Sequence, residues 1–215
     1  MRKYCTILIL AVMAFGSAFA DDKEFNSKVN ELSGGKVNEK LAAIQWFAVN
    51  PSTASAGALK GQYDKEKEAW IRMKIVNAWT IQQGQGALEN VLAALKDPDQ
   101  SVREEAALSL AYFGNSESVT EALAAMISDE KDESIKKNAL NTLSSYGDDK
   151  AADEMVKQIK NEKNRDIRKY AVKSLRRMQS QKAKNELKKL EKDSDKEISD
   201  AAKGVEPVKE KKGKK

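Results

Sequence analysis

Apolar residues return along this chain on two nested periods. Within a segment they follow the i, i+4, i+8 spacing of one helical face, as Val102, Ala106 and Leu110 do, with Ala107 widening the stripe. Between segments the whole stripe returns every 31 to 33 residues, as Ile71, Ile75 and Trp79, then Ile135, Ala139 and Leu143, then Ile167, Ala171 and Leu175, and last as Ile198 and Ala202. Asn38, Ala42 and Trp46 continue these columns upstream, with Leu41 and Ile44 beside them. Each first stripe is followed by a second: Leu88, Val91, Leu92 and Leu95; Leu123, Met126 and Ile127; Met155, Val156 and Ile159; Leu187 and Leu190. A unit of about 32 residues with two short helices cannot bury its own apolar face and must stack on copies of itself.

The punctuation between stripes agrees with that reading. Asp97-Pro98-Asp99 has the chemistry of a turn and helix N-cap, and Gly114 and Gly147 stand where a helix end takes the left-handed conformation. Gln179 occupies the equivalent place in the next copy, and the last copy stops at Gly204 and Pro207. Gly57 and Gly61 weaken the second helix expected over Ala54 to Tyr63. Asp21 to Gly35 reads as a short cap helix broken at Ser33-Gly34-Gly35. The predicted fold is all-α: a right-handed α-α superhelix, or α-solenoid, of five to six helix-pair repeats. A small Ala in the middle of each stripe lets helices of adjacent units approach, while the flanking Val, Ile and Leu fill the space beside it. Trp46 and Trp79 replace Leu in the N-terminal copies and are expected in the core.

The pattern Asp97-Pro-Asp-x-x-Val102-Arg103-x-x-Ala106-Ala107-x-x-Leu110-x-x-x-Gly114 and its copies resemble HEAT repeats, most closely the short type first named from phycobilisome lyases. The resemblance covers residues 37 to 205, most strongly 64 to 178. It implies a scaffold or binding surface, because such repeats specify a fold and not a chemistry. It does not carry a lyase activity to this chain, whose lone Cys5 lies in a segment expected to be removed and which has no His.

That segment precedes the repeats. Arg2 and Lys3, the apolar run Tyr4 to Phe15, and Ala18-Phe19-Ala20 ahead of Asp21-Asp22 have the order of a secretory signal peptide. A run of this length spans only about 18 Å as helix, too short for a hydrocarbon core of about 30 Å. The expected organisation is a signal peptide over 1–20, the solenoid over 21–205, and a disordered Lys-rich tail over 206–215, in a periplasmic or secreted protein cleaved after Ala20. No Asn-x-Ser/Thr sequon occurs, Asn50-Pro51-Ser52 having Pro in the forbidden place, which agrees with a bacterial source.

Charge is unevenly placed. The net charge is +5, but the stretch from Lys157 to Lys192 carries 14 Lys or Arg against 4 Asp or Glu. A basic end on an acidic body bears on association and solubility, not on fold. Arg168, Lys169, Lys173, Arg176 and Arg177, followed by Lys182, Lys184, Lys188 and Lys189, read either as helices decorated for solubility or as an anion-binding face. The first five of these, Arg168, Lys169, Lys173, Arg176 and Arg177, with Lys184 and Lys188 form the candidate interaction surface. Arg72, Arg103, Lys136 and Arg168 recur just after the first stripe residue, and two readings apply. The favoured one is a ladder of cations paired with turn acids such as Asp97, Asp99, Asp129 and Asp166; the other is a ligand-facing row.

The inventory argues against catalysis. Without His the commonest general base is missing, together with His/Cys metal sites and Ser-His or Cys-His nucleophile pairs. Glu104-Glu105, Asp129-Glu130 and Asp148-Asp149 read as solvated charges or N-caps, Asp193-Ser194-Asp195 lacks the rest of a calcium loop, and no Gly-rich phosphate loop is present. The expectation is a non-enzymatic scaffold with no cofactor and no metal, binding a protein partner. The alternative is an electrostatic binder of anionic envelope surface through the basic C-terminal repeats. An exported chain is not expected to meet nucleic acid, and no membrane span is expected after cleavage.

Overall fold

The computed structural model describes residues 22–205; the expected signal peptide and Lys-rich tail lie outside them. Among the described residues there are twelve α-helices and no strand: α1 Asp22–Gly34, α2 Val37–Val49, α3 Thr53–Tyr63, α4 Ala69–Gln82, α5 Gln85–Ala94, α6 Gln100–Ser109, α7 Glu117–Asp129, α8 Glu133–Tyr146, α9 Asp149–Asn161, α10 Arg165–Arg177, α11 Gln181–Leu190 and α12 Lys196–Lys203. A 3-10 turn, Leu110–Tyr112, extends α6. The protein is an all-α solenoid of five helix pairs, closed at one end by α1 and at the other by α12. Even-numbered helices from α2 to α12 stack on one another as a first row, and odd-numbered helices from α3 to α11 form a second row behind it.

The columns read from the sequence are the core. Val102, Ala106, Leu110, Ile135, Ala139, Leu143, Leu175 and Ile198 are fully buried between rows, as are Ile75, Trp79, Val91, Leu123 and Met155. Trp79 is taken up whole, and its indole N–H finds no acceptor, so the ring is held for its bulk.

The first repeat departs from the expected register by one residue. Ala43, Ile44 and Phe47 are the buried positions, at a spacing of 32 from Ile75, Val76 and Trp79, whereas Asn38 and Ala42 face solvent. Trp46 is only half buried: it lies edge-on to Phe25 and Phe47, with ring centroids 6.4 Å and 5.2 Å away, and donates through Nε1 to Glu24 of α1. The apolar run Leu41 to Val49 offers two adjacent stripes, and α1 resolves the choice by covering the Trp46 side.

Helix ends follow local chemistry. Ser52, Asp99, Ser116, Asp132, Asp148, Asn164, Ser180 and Asp195 each cap a helix by accepting from a backbone N–H two or three residues on. Gly147 closes α8 at φ 70°, but α10 ends without glycine because Met178 turns extended, φ −75° and ψ 139°. That extended exit is why Gln179 is tolerated.

The glycine-containing helix forms. In α3 the Ser52 cap and the buried face of Ser55, Ala56, Leu59 and Gln62 outweigh the two glycines. Both glycines face open space, with no atom within 4 Å of an added Cβ. Gly57→Ala and Gly61→Ala are therefore expected each to stabilise the fold by about 0.5–1 kcal/mol, since Ala is favoured over Gly by that amount in a helix interior. A urea unfolding midpoint that stays put or falls would contradict this account of α3.

Candidate functional site

The recurrent cations form a ladder, and the acids they meet differ from those expected. Lys40 pairs with Glu66 at 2.9 Å, Arg72 with Asp97 at 2.8 Å, Arg103 with Glu130 at 2.7 Å and Lys136 with Glu162 at 2.6 Å. Arg168 reaches toward Asp193 at 4.0 Å. Of the predicted acids only Asp97 is a rung. Asp99 is an N-cap, Asp129 does not join, and Asp166 meets Lys169 one turn away. Lys40 is a fifth member that the misplaced register of the first repeat concealed.

Each rung acid also accepts from the backbone that opens the next helix. Glu66 Oε1 takes the N–H groups of Lys67 and Glu68, Asp97 Oδ1 that of Asp99, and Glu130 Oε1 those of Lys131 and Asp132. Glu162 and Asp193 do the same for Asn164 and Asp195. The sequence signal is an acid two residues ahead of each N-cap: Glu66-x-Glu68, Asp97-x-Asp99, Glu130-x-Asp132, Glu162-x-Asn164 and Asp193-x-Asp195. Arg72 and Arg103 reach backward as well, donating through Nη1 to the carbonyls of Glu66 and Lys67, and of Asp97 and Pro98. An Arg rung thus ties two successive linkers together, whereas each Lys bonds one acid. At Arg168 the rung is open, with the buried Nε unpartnered.

This environment sets the acids' titration. Burial pushes Asp97 up, but Arg72, the Tyr63 hydroxyl and the Asp99 amide together hold it below the usual range. For Glu130 the Arg103 hydrogen bonds dominate and, against burial, lower it to about 2. Glu66 and Glu162 are also lowered: burial raises each, and Lys40 or Lys136 with linker amides outweighs it.

The seven predicted surface residues divide between the two rows. Arg168 belongs to the ladder, and Lys169 pairs with Glu197 at 2.7 Å and with Asp166 at 3.5 Å. Lys173 is half buried. The Arg176 guanidinium lies against the backbone of Gly204, so close that an added Cβ there would stand 2.5 Å from it. Arg177 donates to Asn141 and Ser174. These five are on α10, in the first row, where Arg177 reaches α8, Lys169 and Arg176 reach α12 and its C-terminal Gly204, and Arg168 faces the linker before α12. Lys184 and Lys188 are on α11, in the second row, exposed and without an ion pair among the described residues. Lys160, Lys163 and Lys192 share that state.

Two apolar features escaped the sequence reading. Val49, Ile81 and Tyr112, 60%, 55% and 64% exposed, occupy one column at the ends of successive first-row helices, with Leu108 one turn before Tyr112. Ser145 and Arg177 take that column in the next two repeats. In the second row α3 packs on α5, α7 on α9, and α9 on α11, but α5 and α7 do not pack closely. Between α5 and α7 lies an open cleft of about 810 Å³. Leu92, Ala93 and Leu95 form one wall, Ala122, Ala125 and Met126 the other, and the Arg103–Glu130 rung closes one end with Lys96 and Lys131 beside it. The α7–α9 groove is bridged, since Gln158 Nε2 donates to the Ala124 carbonyl at 3.1 Å. The column of Gln158 holds Met126 and Leu95 upstream, which cannot make that bond. Among the described residues no cluster of ligating side chains suits a metal ion, and no helix is long and apolar enough to cross a membrane.

Fold, columns and linker ladder together define an all-α solenoid of stacked helix pairs that is similar to HEAT repeats. The family model described as HEAT repeats matches residues 88–169, from α5 to the start of α10. The fold is similar to that in the complex of CpcE and CpcF of phycocyanin lyase from Nostoc sp. PCC7120, at 16% identity and TM-score 0.53 over 89% of this chain and 79% of that one. An engineered protein of known crystal structure is similar at 19% identity and TM-score 0.48, over 85% of this chain and 94% of that one. No curated protein sequence matches the chain.

Because the folded value of Glu130 lies below the ordinary 4.5, its pairing contributes fully above pH 4.5 and is lost as pH falls toward 2. Glu66, Asp97 and Glu162 shift in the same direction, so the urea midpoint is expected to drop through this window. Arg103→Met, which leaves a Glu130 side chain only 5% exposed without its cation, is expected to cost about 1–3 kcal/mol at pH 7 and to flatten the acid slope. An unchanged midpoint at both pH values would remove the ladder's energetic role.

Proposed function

We propose that the chain is an exported, non-enzymatic scaffold that binds another protein, with the basic end of its second row as a contact surface. The supporting observation is the contrast between the two rows in the C-terminal repeats. Most first-row cations there are committed to acids or to neighbouring helices, whereas Lys160, Lys163, Lys184, Lys188 and Lys192 stand exposed and unpaired among the described residues. A solenoid uses its buried side chains to join repeats and leaves an extended surface for partners. The similar fold in the CpcE and CpcF complex occurs in a protein assembly, which agrees with this reading. The succession of basic n-region, apolar run and Ala18-Phe19-Ala20 site in the sequence supports export.

A second reading uses the same five lysines. Spread over α9, α11 and the turns that follow them, they suit an anionic lipid or polysaccharide surface, whose attraction would fall with salt over a Debye length of about 8–10 Å.

Lys184→Glu with Lys188→Glu is expected to abolish recovery of the partner from envelope extract while shifting stability by no more than about 0.5 kcal/mol, as is usual for exposed sites. Retention of every partner would sink the basic-end contact. Salt-sensitive sedimentation of the wild-type chain with anionic vesicles or envelope polysaccharide, lost in the same variant, would favour the second reading. For export, the intact mass of the cellular protein should correspond to a chain starting at Asp21. A full-length mass would refute cleavage after Ala20.

A further inference from the structure

The cleft between α5 and α7 interrupts a row of helices that is otherwise packed. Its walls carry the residues helices use to pack on helices, small Ala93, Ala122 and Ala125 between the larger Leu92, Leu95 and Met126. Small side chains facing a gap neither fill it nor close it. Leu92 and Ala122 are half buried and Ala93 and Ala125 exposed, so the apolar wall is accessible from solvent.

Charge along the cleft gives a direction. α5 and α7 are equivalent helices of successive repeats and run parallel, so their C-terminal ends lie side by side. Lys96 and Lys131 follow those ends, exposed and without an ion pair among the described residues, and outnumber Asp129, the exposed acid that lines the same end. Glu89, exposed, stands one turn before Leu92 and Ala93 on α5, toward the other end. The helix ends add partial charge of their own, negative where the last carbonyls of α5 and α7 are directed and positive at their starts.

We infer that this cleft takes one amphipathic helix of a partner protein, lying antiparallel to α5 and α7. The antiparallel direction sets the partner's N-terminus against the two C-termini, so the helix dipoles oppose favourably. Acidic residues in the partner's first turn meet Lys96 and Lys131, and a basic last turn meets Glu89. That distribution is the one helices favour on their own account. An apolar stripe at i, i+3 or i+4 and i+7 fits between the walls. α5 has 10 residues, a length of about 15 Å, so the docked segment is about three turns long. The inference rests on the scaffold reading and adds to it the kind of partner element and the place where it docks.

The test uses the full chain in its own cells, carrying the photo-cross-linker benzoylphenylalanine at position 93, 125, 81 or 184, one at a time. Positions 93 and 125 are expected to cross-link to one helical segment of a single protein, with acidic residues in its first turn. A synthetic peptide of that segment should then bind the purified chain, and about tenfold more weakly after Ala125→Trp, a loss of about 1.4 kcal/mol. Lys96→Glu with Lys131→Glu should weaken it at low salt. Because Ala125 is exposed, the Trp variant should keep the wild-type urea midpoint, so lost binding reports the cleft. Cross-links from 184 or 81 with none from 93 or 125 would overturn the cleft and leave the scaffold standing. Equal peptide binding by Ala125→Trp would also overturn it, and no cross-link from any position would remove both readings.

Discussion

The linker between repeats is the constraint on which this stack depends. A solenoid of short helices has to restart a helix every repeat at a fixed angle, and each restart leaves backbone N–H groups without partners. Here one carboxylate per linker accepts from those amides and, in every linker but the last, from a cation two helices back, so a single side chain sets both the turn and its attachment to the preceding helix. Bonds to a buried carboxylate are short and strong because they are charge-assisted. The apolar columns supply most of the driving force, but they tolerate sliding; a carboxylate fixed by directed bonds does not.

What the sequence showed follows from what repeats. The columns Val102, Ala106 and Leu110 and their copies were legible because burial selects the same residue type at the same place in every unit. The cations Arg72, Arg103, Lys136 and Arg168 were legible for the same reason. Their acids were harder to see, since Glu and Asp alternate among them and the pairs span 25 to 27 residues, from Arg72 to Asp97 and from Arg103 to Glu130. The register of the first repeat failed where an apolar run permitted two stripes, and only the docking of α1 on Trp46 decided between them.

The surface was less legible than the core, for a physical reason. A helical pattern tells which residues turn outward but not which neighbour stands beside them. Arg168, Lys169 and Arg177 looked equivalent to Lys184 and Lys188 by charge, yet the first three lie where adjacent first-row helices offer acids and amides. The cleft between α5 and α7 was invisible for the converse reason. Ala93, Ala122 and Ala125 read as ordinary helix residues, and their meaning comes from a missing neighbour.

The ladder is also unequal along its length. A lysine rung, Lys40 with Glu66, opens it, two arginine rungs clamp the linkers that follow, a second lysine rung comes next, and the last position, Arg168 with Asp193, stands open at 4.0 Å. Beyond it, among the described residues, α12 covers the stack, its close resting on Gly204 against Arg176. In a linear array each unit depends on its neighbours alone, so opening propagates from whichever end is least tied. The molecule consequently has a polarity in time as well as in charge: it frays from the C-terminal repeat toward the arginine-clamped half, and the amides of α12 and α11 exchange with solvent before those of α4 and α6.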